Sequence, residues 1–448
     1  MNKKLGAFAI LSAAAVVLAG CAGGAGSTPN ADNSGFDPEG AKDQDITFWV
    51  MGGDTPEALR EYLVDEYSAA TGGTLTIEEQ SWGDALTKLA NQLPDENNTP
   101  DVTEIGNTWS PTFTNAGAFT DLSDMYDELG GDKLLESFVE VGEVDGAQYA
   151  LPYYFGSRYN FYRKDIWAAA GKEVPTTLGE FGDTVKALRT DAQSGFYVGG
   201  SDWRNGISWI FANGGELAKK ENGQWVSTLS DANSLKGLQQ LQEIYRSASK
   251  APSDAKDQSP WLYINDTDQI LDENQKPTGK TSLTAATIMA PGWAHWSIGD
   301  LVKKDGKDVR EWNPKKFGTF VLPGSDGQPA PVFAGGSNIA ISAKSQNPEL
   351  SKELMKIIFS AEYQQKLGGA GLGPANSDYV SSLGDDEFAK ALIDSASKSK
   401  LTPAAPGWAA VESSMVMEEF FGKIRDAQDL TVLAKEYDAK ITPMLNLQ

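Results

Sequence analysis

An α/β architecture spread over about two domains is what this sequence predicts. Three observations carry it. Segments that read as strand and as helix alternate from Asp45 onward. Residues 44 to 448 have a globular composition and exceed what one hydrophobic core usually supports. The residues before them read as leader and linker, outside either core.

The leader is "MNKKLGAFAILSAAAVVLAGC". Lys3 and Lys4 precede an apolar, alanine-rich run too short for a membrane span, which predicts a secretory signal peptide over residues 1–20. Leu18, Ala19 and Gly20 lead into the single cysteine, Cys21, which has no second cysteine to pair with. This pattern resembles the lipobox of bacterial lipoproteins. It implies lipid attachment at Cys21 and a body held on the extracellular side of the cell membrane, plain secretion being the alternative. Residues 21–43, rich in Gly, Ser, Asn and Asp without apolar periodicity, read as a flexible linker.

"DITFWV" (45–50) is a short β-rich run. "TPEALREYLVDEYSAATGG" (55–73) predicts a helix: Thr55 as N-cap, Pro56 in the first turn, Leu59, Leu63 and Tyr67 on one face, and Gly72-Gly73 as the stop. "TLTIEEQ" (74–80) alternates like a strand, "WGDALTKLANQL" (82–93) sets Leu86, Leu89 and Leu93 on one helical face, and "DVTEIG" (101–106) returns as a strand. The order β-α-β-α-β favours a parallel sheet with right-handed crossovers.

Ligands of such open sheets sit beyond the carboxyl ends of the strands. The loops there carry Asp54 in "MGGDT", Trp82 and Asp84 in "QSWGD", and Asn107, Thr108 and Trp109 in "GNTWS". Carboxylates, amides and indoles thus gather on one edge. Singly, each has a plain structural reading: Asp54 capping a helix, Trp82 packing on Leu86. Together they mark a candidate binding edge.

Further on, "DGAQYALPYYFGSRYNFYRKDIWAAAGKEVPTTLGEF" (145–181) reads as two aromatic-rich strands, a helix, then Pro175 and a Thr177-x-x-Glu180 capping box opening another helix. The phrase resembles the corresponding pattern of the extracellular solute-binding proteins of ABC importers. "TPDVTEIGNTW", "WIFANGGEL", "TAATIMAPGWAHW" and the block from "GTFVLPGSDG" to "GPANSDY" resemble other parts of that family in the same order, over nearly all of residues 44–448. Within it the likeness is to carbohydrate binders, including maltodextrin-binding proteins. The resemblance implies a two-lobed periplasmic-binding-protein-like fold with discontinuous domains joined by crossing strands. Residues 44–150 plus 331–376 would form lobe one, and 151–330 plus 377–448 lobe two. It also implies a monomer that closes around an oligosaccharide by hinge rotation and delivers it to membrane permease subunits.

The pentapeptide "APGWA" occurs twice, at 290–294 and 405–409. The family resemblance puts Trp293 and Trp408 where relatives stack tryptophans on sugar rings. The physical reason is general: a pyranose exposes a face of C–H groups, and a rigid indole buries it at little entropic cost. A lone tryptophan more often fills a core, but Pro-Gly turns favour exposure. By the same correspondence Asp54 falls at a sugar-binding carboxylate, Thr108 and Trp109 at polar contacts, and Asp202, Trp203 and Arg204 at a carboxylate and aromatic before the Gly-Gly helix. Trp203 has a packing role as its alternative. Of Tyr153 and Tyr154, only one faces the cleft if this run is a strand.

The formal charge of −24 argues against nucleic acid and anionic lipid as partners of the folded part. Catalytic chemistry has little to stand on. There is one histidine, His295, so nucleophile triads and zinc clusters would rest on it alone. "TGKT" (278–281) lacks the first glycine of a phosphate loop, since residue 274 is asparagine, and "GGSNI" (335–339) fails as a nucleophile elbow. "NDTDQILDE" (265–273) lacks the glycine and spacing of a calcium loop. No cofactor or metal is expected. A lipid-anchored glycoside hydrolase using two carboxylates is the enzymatic rival, and a polysaccharide adhesin with an open groove is the third reading.

Overall fold

Strand and helix alternate as predicted, and a single long strand then ties the molecule together. The structure is a computed structural model describing residues 45–256, 260–265, 269–271, 277–281, 284–304 and 306–447. The leader, Cys21 and the linker lie outside these residues, as does most of "NDTDQILDE". Among the described residues no helix is long and apolar enough to cross a membrane.

The first half-sheet forms from β1 (Asp45–Met51), β2 (Thr74–Gln80) and β3 (Val102–Gly106), with β1 parallel to both of the others. Helix α1 (Glu57–Thr71) follows β1, and α2 (Trp82–Gln92) follows β2. Leu59, Leu63 and Tyr67 of α1 are buried, and Gly72 ends it at φ 72°, a left-handed turn that glycine adopts without strain. The N-terminus differs from expectation: Pro56 takes the cap position, and the Thr55 side chain turns inward to bond the Tyr153 hydroxyl at 3.1 Å. Helix α2 is capped by Ser81, and Leu89 and Leu93 are buried with Leu86 packed beside them. A short α3 (Ser110–Asn115) follows β3.

The two aromatic runs predicted after residue 149 are one continuous strand, β4 (Ala150–Arg163). Its 14 residues span about 46 Å. Gly156, midway along it, lies opposite Gly335. The first half of β4 pairs antiparallel with β7 (Ala334–Ile341), which also pairs with β3. Its second half pairs with β5 (Thr287–Pro291) and β6 (Phe317–Phe320). The sheet order is therefore β5-β4-β7-β3-β1-β2, with β6 on β4.

Separate cores lie along this path. Trp49, Met51, Leu89, Leu93 and Ile105 form one near the first half-sheet. A larger one gathers Trp167, Phe181, Trp209, Leu241, Phe420 and Tyr437, drawing on α4 (Trp203–Ala212), the helix Leu178–Ala187 and the C-terminal helices. The Thr177–Glu180 capping box forms as expected, with the Glu180 amide donating to Thr177 Oγ1 at 3.2 Å.

Candidate functional site

The loops at the carboxyl ends of β1, β2 and β3 open onto a cleft of about 770 Å³. Asp54, Trp82, Asn107, Thr108 and Trp109 all line it from that side. Tyr154 and Arg158 of β4 form its floor, and Trp261, Trp293 and Trp296 face it from the other side, with Arg204 and Glu412.

Local backbone chemistry places these groups. Trp82 stands at the start of α2 and folds back over Gly52, where a Cβ would come 2.9 Å from the indole Cδ1 and φ is 55°; only glycine suits both. From there Trp82 Nε1 donates to Asp54 Oδ2 at 2.9 Å, and the ring meets Trp109 edge to face at 5.5 Å. Asp54 is thus neither a helix cap nor exposed at random; its carboxylate accepts from Trp82 and, at 3.1 Å, from the Tyr154 hydroxyl. Asp84, by contrast, is exposed in the first turn of α2 and lies off the cleft wall.

Strand alternation decides between the adjacent tyrosines. Tyr154 lines the cleft, whereas Tyr153 points to the opposite face, where its hydroxyl meets Thr55 Oγ1 and the Tyr363 hydroxyl. Below Tyr154 sits Glu104 of β3, fully buried. Its Oε1 lies 3.0 Å from the Tyr154 hydroxyl, and it accepts from Ser337 Oγ at 2.6 Å and the Met51 amide at 2.7 Å. Burial pushes the Glu104 carboxyl up to about 7, against the pull of the Ser337 and Met51 bonds. Burial also raises Asp54, while its bonds from Trp82 and Tyr154 act the other way.

The two copies of "APGWA" meet opposite fates. After β5, Gly292 opens a short 3₁₀ turn and Trp293 stands out into the cleft, 53% exposed and edge-on to Trp261 at 4.9 Å. Trp408 starts α5 (Trp408–Ser413) and is only 1% exposed. The physical reason lies at Gly407: a Cβ there would fall 1.9 Å from the Met444 carbonyl, so this turn is pressed onto the C-terminal helix and its tryptophan is driven inward. Trp408 packs edge-on against Trp203 at 6.2 Å, itself buried with Nε1 donating to Glu418. Neither ring reaches the cleft wall. Asp202 is also withdrawn: it caps α4 and holds the Asn205 amide at 2.6 Å, and Asn205 in turn accepts from the cleft residue Arg158. The placements expected for Tyr153, Asp202, Trp203 and Trp408 are corrected accordingly; they support the wall from behind.

Residues not singled out from sequence complete the site. Trp296, 70% exposed, and Trp261 extend the aromatic side beside Trp293. Glu412, one turn along from Trp408, accepts from Trp408 Nε1 at 3.0 Å and Trp109 Nε1 at 3.3 Å, and pairs with Arg204 at 3.5 Å. It joins the loop after β3 to α5, as does the Ala409 amide donating to Thr112 Oγ1. The signals were present: a second indole in "GWAHW" and one acid in the otherwise uncharged strand "VTEIG". Flat apolar rings beside carboxylates, amides and guanidinium groups suit a ligand with apolar faces and a rim of hydroxyl or amide groups.

Comparison with known proteins agrees with this architecture. The family model described as bacterial extracellular solute-binding protein matches residues 62–392. The diacetylchitobiose binding protein DasA of Streptomyces coelicolor is 33% identical over 421 residues, covering 92% of this chain and 91% of that protein. Among solved structures, the sugar-binding protein MalE of Xanthomonas citri superposes with a TM-score of 0.73 at 20% identity, over 90% of this chain and 97% of that one. A cyclo/maltodextrin-binding protein complexed with maltotetraose gives 0.69 at 16% identity, over 89% and 96%. The fold is the two-lobed α/β fold of these proteins, and the relatives are binding proteins, not enzymes. The chain belongs to the bacterial extracellular solute-binding protein family.

Proposed function

We propose that this protein captures an oligosaccharide in the cleft between its lobes and hands it to the permease subunits of an ABC importer, while a lipid on Cys21 holds it at the outer face of the cell membrane. The observation that carries the reading is the cleft's composition. The Trp82 and Trp109 indoles lie on one side, those of Trp261, Trp293 and Trp296 on the other, and Asp54 and Tyr154 provide hydrogen-bonding groups between them. Several indoles on facing walls favour several rings over one, although one neighbour of the same fold was solved with α-D-tagatose. The relative named for diacetylchitobiose makes that disaccharide the first ligand to try, with maltotetraose second. Asp54, Trp82, Asn107, Thr108, Trp109, Tyr154 and Trp293 are the ligand contacts, joined by Arg158, Trp261, Trp296, Arg204 and Glu412. The lobes comprise residues 44–150 plus 331–376 and 151–330 plus 377–448; the course of β4 through both sheet halves supports this division.

A thermal-shift screen of mono-, di- and oligosaccharides tests the reading, followed by chromatography of the best ligand after long incubation. A rise in melting temperature with an oligosaccharide recovered intact supports it. Shortened products would mark a hydrolase, and no shift with any glycan would remove the proposal.

A further inference from the structure

Beneath the cleft floor two carboxylates compete for one hydrogen. The Tyr154 hydroxyl lies 3.1 Å from Asp54 Oδ2 and 3.0 Å from Glu104 Oε1, yet it carries a single proton to donate. Its other neighbour, Ser337 Oγ, is 3.3 Å away and bonds Glu104 more closely, at 2.6 Å. Asp54 lines the cleft; Glu104 does not. Among the described residues, Asp54 Oδ1 takes no hydrogen bond, which leaves it for a ligand hydroxyl or amide.

With Glu104 ionised, its buried charge draws the phenolic hydrogen inward. Asp54 then meets a phenolic lone pair and keeps only the Trp82 N–H. With Glu104 protonated, the carboxylic acid donates to the phenolic oxygen, the phenol donates to Asp54, and every member of the chain has a partner. The cleft also carries one less negative charge to desolvate when a neutral ligand enters.

We propose that Glu104 is a positioning residue whose proton, relayed through Tyr154, sets the ligand-ready state of Asp54, so that ligand capture is coupled to uptake of one proton. This rests on the carbohydrate-binding reading of the cleft. The surroundings favour such coupling. Burial shifts the Glu104 carboxyl into the neutral range, and the titratable groups around it are Asp54 beyond β1 and the phenols of Tyr153, Tyr154 and Tyr363. Arg60 of α1 acts on Asp54, Tyr153 and Tyr363, and Glu79 of β2 on Asp54.

Calorimetric titration of the whole chain with N,N′-diacetylchitobiose and with maltotetraose, from pH 6 to pH 8.5 and in buffers of different ionisation enthalpy, tests this. The wild type is expected to lose about tenfold in affinity between pH 6 and pH 8, the change required when one group near pH 7 must be protonated, and to take up close to one proton per ligand at pH 8. Glu104→Gln, whose amide can donate to Tyr154 as the acid does, should bind with pH-independent affinity and no proton uptake, and Tyr154→Phe should weaken binding and also flatten the profile. PH-independent binding without proton uptake by the wild type, a measurement that depends on no variant folding, overturns the inference while leaving the cleft's function intact. So does Glu104→Gln with an unchanged wild-type profile. Absence of binding by these two and by every other glycan of the thermal-shift screen removes the underlying reading together with it.

Discussion

Two residues of one type, each in the same five-residue setting, show what decides a side chain's role. Trp293 and Trp408 both follow Ala-Pro-Gly, yet one stands in the cleft and the other is buried. Trp293→Ala is therefore expected to abolish or strongly weaken glycan binding in calorimetry with little loss of stability. Trp408→Ala should cost about 3–5 kcal/mol in denaturant unfolding, as expected of a tryptophan removed from a core. Glu104 gives a prediction of opposite character. Its carboxyl titrates near 7 in the folded chain against 4.5 as its ordinary value, so the native state binds more protons between those limits and its contribution to stability falls as pH rises through them. Glu104→Gln lacks this penalty. The stability difference between variant and wild type, from urea melts, should shift in the variant's favour by about 3 kcal/mol from pH 4.5 to pH 8. That only one of Tyr153 and Tyr154 faces the cleft was legible from strand alternation; which one was not, because it depends on how β4 seats against its neighbours. The fate of Trp408 was not, because it depends on Met444, which is distant in sequence and close only in the fold.

At the scale of elements, regular periodicity was readable and long-range contact was not. The alternation from β1 to β3, the Gly72 stop and the Thr177 capping box all follow from local rules, and all are present. The N-terminus of α1 departs from them because the Thr55 hydroxyl is taken by Tyr153, a tertiary partner 98 residues away. The single strand β4 reads as two in the sequence, because the partners that make it continuous, β5, β6 and β7, are distant along the chain. The two Pro-Gly turns supply the test at this scale. Gly407→Ala forces a Cβ against the Met444 carbonyl and should destabilise by about 1–3 kcal/mol, an overpacking cost. Gly292→Ala meets side chains and no backbone, the Tyr159 ring at 3.2 Å and Leu392 Cδ1 at 3.6 Å, and should stay within about 1 kcal/mol. Thermal melts of the two variants compare them directly.

For the whole molecule, the cleft lies where β4 carries the chain from one half-sheet to the other, and its walls come from loops belonging to both. That arrangement suits capture by closure: a ligand held on both walls adds contacts that only the closed form makes. Small-angle scattering should accordingly show a smaller radius of gyration at saturating glycan than without it. The measurement that tests the central claim most directly is calorimetric titration of wild type and Trp293→Ala with N,N′-diacetylchitobiose and maltotetraose at pH 6. The account predicts one-to-one binding of at least one of them by the wild type, with a negative heat-capacity change from burial of apolar surface. It also predicts at least a tenfold loss in the variant, at an unchanged melting temperature. A variant that binds either glycan as tightly as the wild type would contradict it.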